Sequence, residues 1–363
     1  MNRKIKEFIR SKIYYRKFQH AALDQSREEE LAAIGLPELT ENEKNEIKKK
    51  WGKFIKNLEL GYPGFQVYKS LYGFDPNYLP FSYFFPWMLR ILNPIEYSHI
   101  FSNKGLMCSI FSDIKQPELV AKKVNGLIFI IKNEVISEDE LIDKLSRKGY
   151  DMIIKKSTDS CCGRNIAIIK KGAEITNINN IITAFEGDYI IQKIVKQSSE
   201  TAIFNPSSLN TMRISTMLLN GRFSLCTAMI RFGLPNSIVD NVGAGGCCVG
   251  INDDGTFMNF GFNNKFEKID SWNGVAFEGH KIKDFDKVIN FAQKAHYNIP
   301  QCQFAGWDIA IDENGEPILI EVNLVWPGLF FEQLANGKPA LRGREDELLQ
   351  FLINKPFPYG NTI

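Results

Sequence analysis

GWDIAIDENGEPILIEVN, residues 306–323, reads as a β-hairpin that brings two carboxylates and an amide together. Asn314-Gly315 is the turn dipeptide of a two-residue hairpin loop. Ile309 and Ile311 alternate before it, Ile318 and Ile320 after it. A turn centred on that dipeptide sets Asp308 opposite Glu321, at a non-hydrogen-bonded position where side chains come closest. Pro317 falls at another such position, where its missing N–H costs no ladder bond. Glu321 and Asn323, two residues apart, share one face. Like charges facing each other destabilise a sheet unless something offsets them. A divalent cation does so, and Mg²⁺ takes oxygen ligands of this kind. Asp308, Glu321 and Asn323 are therefore candidate metal ligands. The other reading is a surface hairpin whose acids face water.

The rest of the chain narrows the setting. Its 363 residues suffice for two or three compact domains or one large multi-lobed one. The near balance of 44 basic and 42 acidic side chains argues against a general nucleic-acid binder. Seven cysteines include two adjacent pairs, Cys161-Cys162 and Cys247-Cys248, and no CxxC. That is neither a disulfide framework nor a zinc site, and it suits a reducing cytosol. No apolar run approaches a membrane span, and the N-terminus lacks the apolar core of a signal peptide. A cytoplasmic protein is expected.

Residues 1–60 read as helical and highly charged. Within them MNRKIKEFIRSKIYYRKF, residues 1–18, carries seven basic side chains and one acid. It is either a helix lying on an anionic membrane surface, at the inner face of the membrane, or one packed on its own protein or a second subunit. Residues 61–100 are rich in aromatics, and Pro63, Pro76, Pro80 and Pro86 break any long helix there. Short helices packed by aromatic burial are expected; a carbohydrate-stacking surface is the other reading. From residue 104 the pattern becomes α/β. VNGLIFII, DMIIKK, AIIKKG and DYIIQKIV read as strands, and SEDELIDKLSRKGY as a helix capped by Ser137. Residues 211–232 read as a hairpin around Asn220-Gly221, residues 240–250 as a glycine-rich loop, and KIKDFDKVINFAQKAHYNI and EDELLQFLIN as helices.

Several features here suit phosphate. Lys155 ends a strand and precedes STDSCCGRN, a small-residue loop containing Gly163. Such a loop lets backbone N–H groups approach an anion. It is not a P-loop, since no GK[ST] opens a helix, and a plain hairpin turn explains it equally well. The strand YIIQKIV could offer backbone groups to an adenine edge. Arg213 and Arg231 flank the Asn220-Gly221 turn, and arginine's planar fork suits phosphate. A strict two-residue turn puts them on opposite faces, so a shared site requires a longer loop or a bulge. DNVGAGG adds Asn241 beside a flexible backbone.

In order, a lysine, a small-residue loop, a hinge strand, arginines, N-x-x-x-GG and D…E-x-N resemble the ATP-grasp superfamily. Within it they resemble the family associated with sugar transfer and polysaccharide gene clusters. The resemblance spans residues 75–345. It is carried by FDPNYLP with ILNP and the following NK, by SSLNTMRIST, by DNVGAGG, and by GWDIAI…LIEVN with PG and Gln333. It implies an α+β fold: a helical, aromatic-rich region over 1–103, a small lobe with a phosphate loop over 104–200, and a large lobe with the metal hairpin over 201–363. It also implies roles. Asp308, Glu321 and Asn323 would hold Mg²⁺ on the phosphates of ATP. Lys104 and Lys155 would meet those phosphates from opposite lobes, and residues 157–164 would close over them. Gln192 and Ile194 would sit at the adenine hinge. Arg213, Arg231 and Asn241 would face the transferred phosphoryl group.

The sequence departs from the family pattern in places. Lys156 follows Lys155 where proline is usual, so either lysine could take the phosphate role. Gln192-Lys193 stands where an acid is common, and Ser198 where a histidine is usual. The implied activity is an ATP-dependent carboxylate–amine ligase acting through an acyl phosphate, with an amino acid and a nucleotide-sugar or glycan uronic acid as partners. A phosphotransferase on the same scaffold and a non-catalytic nucleotide-binding partner of a sugar-transfer complex are the alternatives. The oligomeric state is left open.

Overall fold

The computed structural model describes residues 13, 16, 17, 20–24, 26, 29–53, 55, 58–130, 134–158, 166–353 and 355. Two antiparallel sheets dominate. The smaller contains β1 (Leu119–Val124), β2 (Leu127–Phe129), β3 (Val135–Ile136), β4 (Met152–Lys156), β5 (Ile166–Ile169) and β6 (Tyr189–Lys193), in the order β3-β2-β1-β6-β4-β5. The larger contains β7 (Met212–Leu219), β8 (Arg222–Phe232), β9 (Cys247–Ile251), β10 (Phe257–Asn263) and β11 (Lys268–Ile269). A short pair, β12 (Ser271–Trp272) and β13 (Val275–Ala276), stands apart, and β14 (Phe304–Ile311) and β15 (Pro317–Asn323) complete the larger sheet. Its order is β11-β10-β9-β8-β7-β14-β15.

Two helices close one face of the small sheet, and the helix Lys104–Ile110 packs on the other. The helices Glu138–Ser146 and Ile175–Thr183 bury Leu141, Ile142, Leu145, Ile178 and Ile182 against Met152, Ile154, Tyr189 and Ile191. Ser137 opens the first helix with a reciprocal cap to Glu140, satisfying amides that would otherwise lack acceptors. Ile153, Lys155, Ile190 and Gln192 alternate onto the opposite face. VNGLIFII is not one strand: Asn125 and Gly126, with φ of 49° and 83°, turn β1 into β2. Those left-handed dihedrals are what a two-residue hairpin loop requires.

The large sheet is packed on both faces. The helix Phe285–Tyr297 buries Val288, Ala292 and Ala295 with Ile214, Ile230, Trp307 and Ile309 on one side. On the other side Trp51, Phe65, Tyr68, Phe84 and Leu92 of the N-terminal region share a core with Met217, Cys248, Phe304 and Leu334. The aromatics of residues 61–100 are thus mainly core, and Pro86 sits in a π-helical turn, Phe84–Met88. Residues 247–251 are a fully buried strand rather than part of a loop.

Two side chains staple the N-terminal region to the large sheet. Asn93 donates to the carbonyls of Phe304 and Leu324 and accepts from Phe304 N–H. Gln333 accepts from Leu79 and Ala340 N–H and donates to the Leu79 carbonyl and Tyr68 hydroxyl. The motif pieces ILNP, FDPNYLP and Gln333 therefore do structural work at this seam. The basic segment 1–18 lies outside the described residues except for Ile13, Arg16 and Lys17. Among the described residues no helix is long and apolar enough to cross a membrane.

Candidate active site

The metal hairpin pairs Asp308 with Glu321, but not through a two-residue turn. Asp312 accepts hydrogen bonds from Asn314 and Glu316 N–H through its carboxylate, and from Gly315 N–H through its carbonyl. The loop therefore has three residues, with Gly315 at φ +80°. That is the type I turn followed by a left-handed glycine that three-residue hairpins use. This loop shifts the register by one: Ile311 pairs with Pro317 and Ile309 with Leu319. Ile320 then bulges out, and Asp308 faces Glu321 again. Leu319 and Val322 stay in the core while Ile318, Glu321 and Asn323 keep to Asp308's side.

A second bulge joins the arginines. Asn220 and Gly221 form the expected two-residue turn, with φ of 51° and 74°. Cys226 is unpaired between Thr216↔Leu225 and Ser215↔Thr227. The extra residue moves Arg231 onto the face of Arg213. Both then close on Asp308: Arg213 Nε lies 2.6 Å from Oδ1, and Arg231 Nη2 3.1 Å from Oδ2. Burial alone would raise the Asp308 pKa, but the two guanidinium groups hold it down at about 2. Arg231 also bonds the hydroxyl of Thr211, which is bonded in turn to Asp240. Arg231 Nε is buried with no acceptor.

Lys104 opens the helix Lys104–Ile110, behind an Asn103 cap, and its ammonium lies 2.7 Å from Glu321 Oε1. Its backbone N–H donates to the Ser157 carbonyl at the end of β4. The two lysines do not approach from opposite lobes. They are neighbours at the lobe junction: burial first, and then Lys104, lower the Lys155 pKa to about 8. Lys155 is buried on the face of the small sheet towards the helix Lys104–Ile110, and Lys156 is on the face covered by the helices Glu138–Ser146 and Ile175–Thr183.

The face of the small sheet that carries Lys155 buries unsatisfied polar groups. The Lys155 ammonium makes no hydrogen bond to a described residue, and Gln192 Oε1 and Ser157 Oγ are buried without partners. Buried polar atoms are normally paired, so this cluster suits a polar ligand. Ile194 and Ile318 line a cavity of 680 Å³ between small lobe and hairpin, with Gln116, Tyr150 and Val195. The Ile194 N–H is already bonded to the Asp151 carbonyl. Asn241 is half-buried, and its carbonyl accepts from Ala244 and Gly246 N–H, which holds the glycine turn. Gly163 lies outside the described residues.

The sugar-transfer-associated ATP-grasp family matches residues 88–348. This chain belongs to that family. No curated protein sequence matches the chain. Among solved structures, the ATP-grasp chain is similar to D-alanyl-alanine synthetase A from Vibrio cholerae O1 biovar eltor (11% identity, TM-score 0.42, 71% of this chain and 66% of that one). It is also similar to the ATP-grasp ligase PsnB complexed with minimal precursor (11%, 0.43, 72% and 64%). A third is N5-carboxyaminoimidazole synthetase from Staphylococcus aureus (8%, 0.40, 72% and 53%). The chain thus spans less than two thirds of the length of these structures.

The donor set of this ATP-grasp hairpin fits Mg²⁺. Among the described residues no three Asp, Glu, His or Cys side chains form a metal cage. Two carboxylates and an amide are instead what Mg²⁺ takes when phosphates and waters complete its shell. Asn323 Nδ2 donates to Asp308 Oδ2 at 3.3 Å, which leaves its amide oxygen free as a ligand. The unpartnered Lys155, Ser157 and Gln192 fit nucleotide in the same way. Thr211 and Asp240 were missed as site residues, and Ser157 was included only as the first residue of the phosphate loop. Thr211 was legible, since it alternates with Arg213 onto the same face of the strand. The role of Asp240 carries no such signal.

Proposed function

We propose that the protein is an ATP- and Mg²⁺-dependent carboxylate–amine ligase. It joins an amino acid or similar amine to a sugar carboxylate, such as a uronic acid, during surface polysaccharide assembly. The observation that carries this reading is one convergence: Arg213, Arg231, Asp308, Glu321 and Lys104 meet beside the unpartnered Lys155, Ser157 and Gln192. Asp308, Glu321 and Asn323 hold the metal, which when bound neutralises phosphate charge. Lys104 and Lys155 meet the phosphates, with Gly163 in the loop that follows. Residues Gln192–Ile194 border the adenine. Arg213, Arg231 and Asn241 face the transferred phosphoryl group. The task is charge neutralisation and positioning, and no protein nucleophile is required.

Family membership supports the sugar partner, and so does Trp326. Its ring is half-exposed three residues beyond Asn323, resting on Phe85 with centroids 5.0 Å apart. An exposed aromatic face beside a site suits the apolar face of a sugar ring. The protein works in the cytoplasm, where the basic segment 1–18 packs on its own protein or a second subunit, with contact to the inner face of the membrane as the alternative. The test is to screen uronic acids and amino acids for ADP release and to trap the acyl phosphate with hydroxylamine. A hydroxamate that requires ATP, Mg²⁺ and the carboxylate supports the ligase. A stable phosphate ester with no hydroxamate overturns it in favour of a phosphotransferase.

A further inference from the structure

Glu332, in the first turn of the helix Phe330–Asn336, has no part in the site as described so far. Its side chain is only 5% exposed. Its carboxylate accepts from its own backbone N–H and from no other described residue. The nearest cation is Arg213 Nη1, 3.7 Å away and beyond hydrogen-bond reach. That guanidinium is already committed: Nη1 donates to the Pro327 carbonyl at 2.9 Å, while Nε and Nη2 grip Asp308.

A buried carboxylate with a single close donor, its own backbone N–H, is poorly satisfied, and native proteins rarely keep one so. The surroundings hold it in place nonetheless. Gly328 has φ +86°, and a Cβ there would stand 1.8 Å from Glu332 Oε1, so only glycine lets the chain pass this close. The segment leaving the metal hairpin is thus folded over the carboxylate. Arg213, Arg231 and Asp308 flank it from the large sheet, Cys248 from β9, and Tyr68 from the N-terminal region. Burial pushes its pKa up.

We propose that Glu332 receives the amine substrate: its carboxylate binds the ammonium group of an amino acid or amino sugar, supplying the acceptor those N–H donors need. This rests on the ligase reading. Glu332 takes one proton of the ammonium, which leaves a neutral amine. The amine lone pair forms the C–N bond to the acyl carbon. The C–O bond to phosphate breaks, its electron pair leaves with the phosphate, and the phosphate takes the second proton that nitrogen releases. Arg213 links the two halves of the site, gripping Asp308 on the metal side and flanking Glu332 on the amine side.

The test uses Glu332→Gln and Glu332→Asp in the full chain, with the twenty amino acids, ethanolamine and glucosamine as amines and glucuronic and galacturonic acids as carboxylates. Hydroxylamine is uncharged at neutral pH, so it intercepts the acyl phosphate without an ammonium site. The expected result is that Glu332→Gln lowers the ratio of amide to hydroxamate roughly 10²-fold, with Glu332→Asp between it and wild type. Independently, at least one of the amines raises the unfolding temperature of the wild type with ADP and Mg²⁺ present, and none does so for Glu332→Gln. A wild type that forms no hydroxamate defeats the ligase reading, while amine protection still decides whether Glu332 binds ammonium. The inference is overturned if no amine protects the wild type. It is also overturned if Glu332→Gln loses amide and hydroxamate equally and unfolds at a lower temperature, as a plain counter-ion of Arg213 would.

Discussion

Arg213 and Arg231 stand on one face of neighbouring strands because Cys226 is an extra residue in β8. Both guanidinium groups meet on the carboxylate of Asp308. Arg231 Nε is left without an acceptor, which supports placing Arg231 against the transferred phosphoryl group. Arg231→Ala is expected to slow phosphoryl transfer by ~10² to 10³ while weakening nucleotide binding much less. Single-turnover ADP formation set against ADP affinity measures the two separately. Equal losses in both would reduce Arg231 to a structural partner of Asp240.

Asp308 and Glu321 should separate in stability although both are proposed metal ligands. Each is expected to lose most Mg²⁺-dependent turnover as the amide. Asp308→Asn also removes the shared carboxylate from two buried guanidinium groups, leaving them only longer ion pairs to Glu332 (3.7 Å) and Asp240 (3.6 Å), which costs about 3 kcal/mol. Glu321 is more exposed and pairs with one lysine, so Glu321→Gln should destabilise less. Thermal unfolding alongside ADP release checks both. Full turnover in either variant removes that residue from the metal site.

Gln333 tests the seam rather than the site. Gln333→Leu leaves Leu79 N–H, the Leu79 carbonyl and Ala340 N–H buried without partners. At about 1 to 3 kcal/mol for each unsatisfied group, the variant should lose about 3 kcal/mol or more in a denaturant titration. A change below about 1 kcal/mol would mean that water or repacking replaces the amide.

The metal hairpin shows how far sequence carries and where it stops. Facing carboxylates were legible at Asp308 and Glu321, and their pairing is real. The route to it is not the simple one. Asp312 captures the turn through its carboxylate and imposes a three-residue loop, and the Ile320 bulge cancels the shift. A bulge is set by what packs on both faces of a strand, and one chain's alternation does not record that. The same holds at Cys226, where the need for a bulge was visible but its place was not. VNGLIFII reads as one strand because its apolar run hides the Asn125-Gly126 turn. Glu332 was invisible, since its significance lies in the donors it lacks.

His296 gives a pH signature outside the site. It is fully buried, and Trp307 donates to Thr216 Oγ1 while Thr216 bonds His296 Nδ1 and His296 Nε2 bonds the Cys302 carbonyl. The Cys302 carbonyl can only accept, so the neutral ring keeps its proton on Nε2 and Nδ1 accepts from the Thr216 hydroxyl. Burial drops the pKa to about 4. The unfolded chain then binds the extra proton first, so the contribution is complete above about 6.5 and fades as pH falls towards 4. A shift of this size is worth about 3 kcal/mol. Stability measured between pH 6.5 and 5, above most carboxylate titration, should fall less steeply in His296→Gln than in wild type. Parallel curves would show that this ring does not titrate.

Lys155 makes the opposite prediction, on binding. Burial and the neighbouring Lys104 ammonium bring its pKa to about 8, so near that pH a large fraction of the side chain is neutral in the free protein. A phosphate beside it favours the charged form. Binding ADP or ATP should therefore take up protons around pH 8, and affinity should weaken as pH rises through that value. Calorimetric titrations in buffers of different ionisation enthalpy, from pH 6.5 to 9.5, measure the uptake directly. Lys155→Met should abolish the uptake and leave affinity weak and nearly flat over the range. Lys156 is on the opposite face of the sheet, and Lys156→Met should retain the wild-type profile. Uptake that persists in Lys155→Met, or vanishes in Lys156→Met, would move the phosphate contact off Lys155.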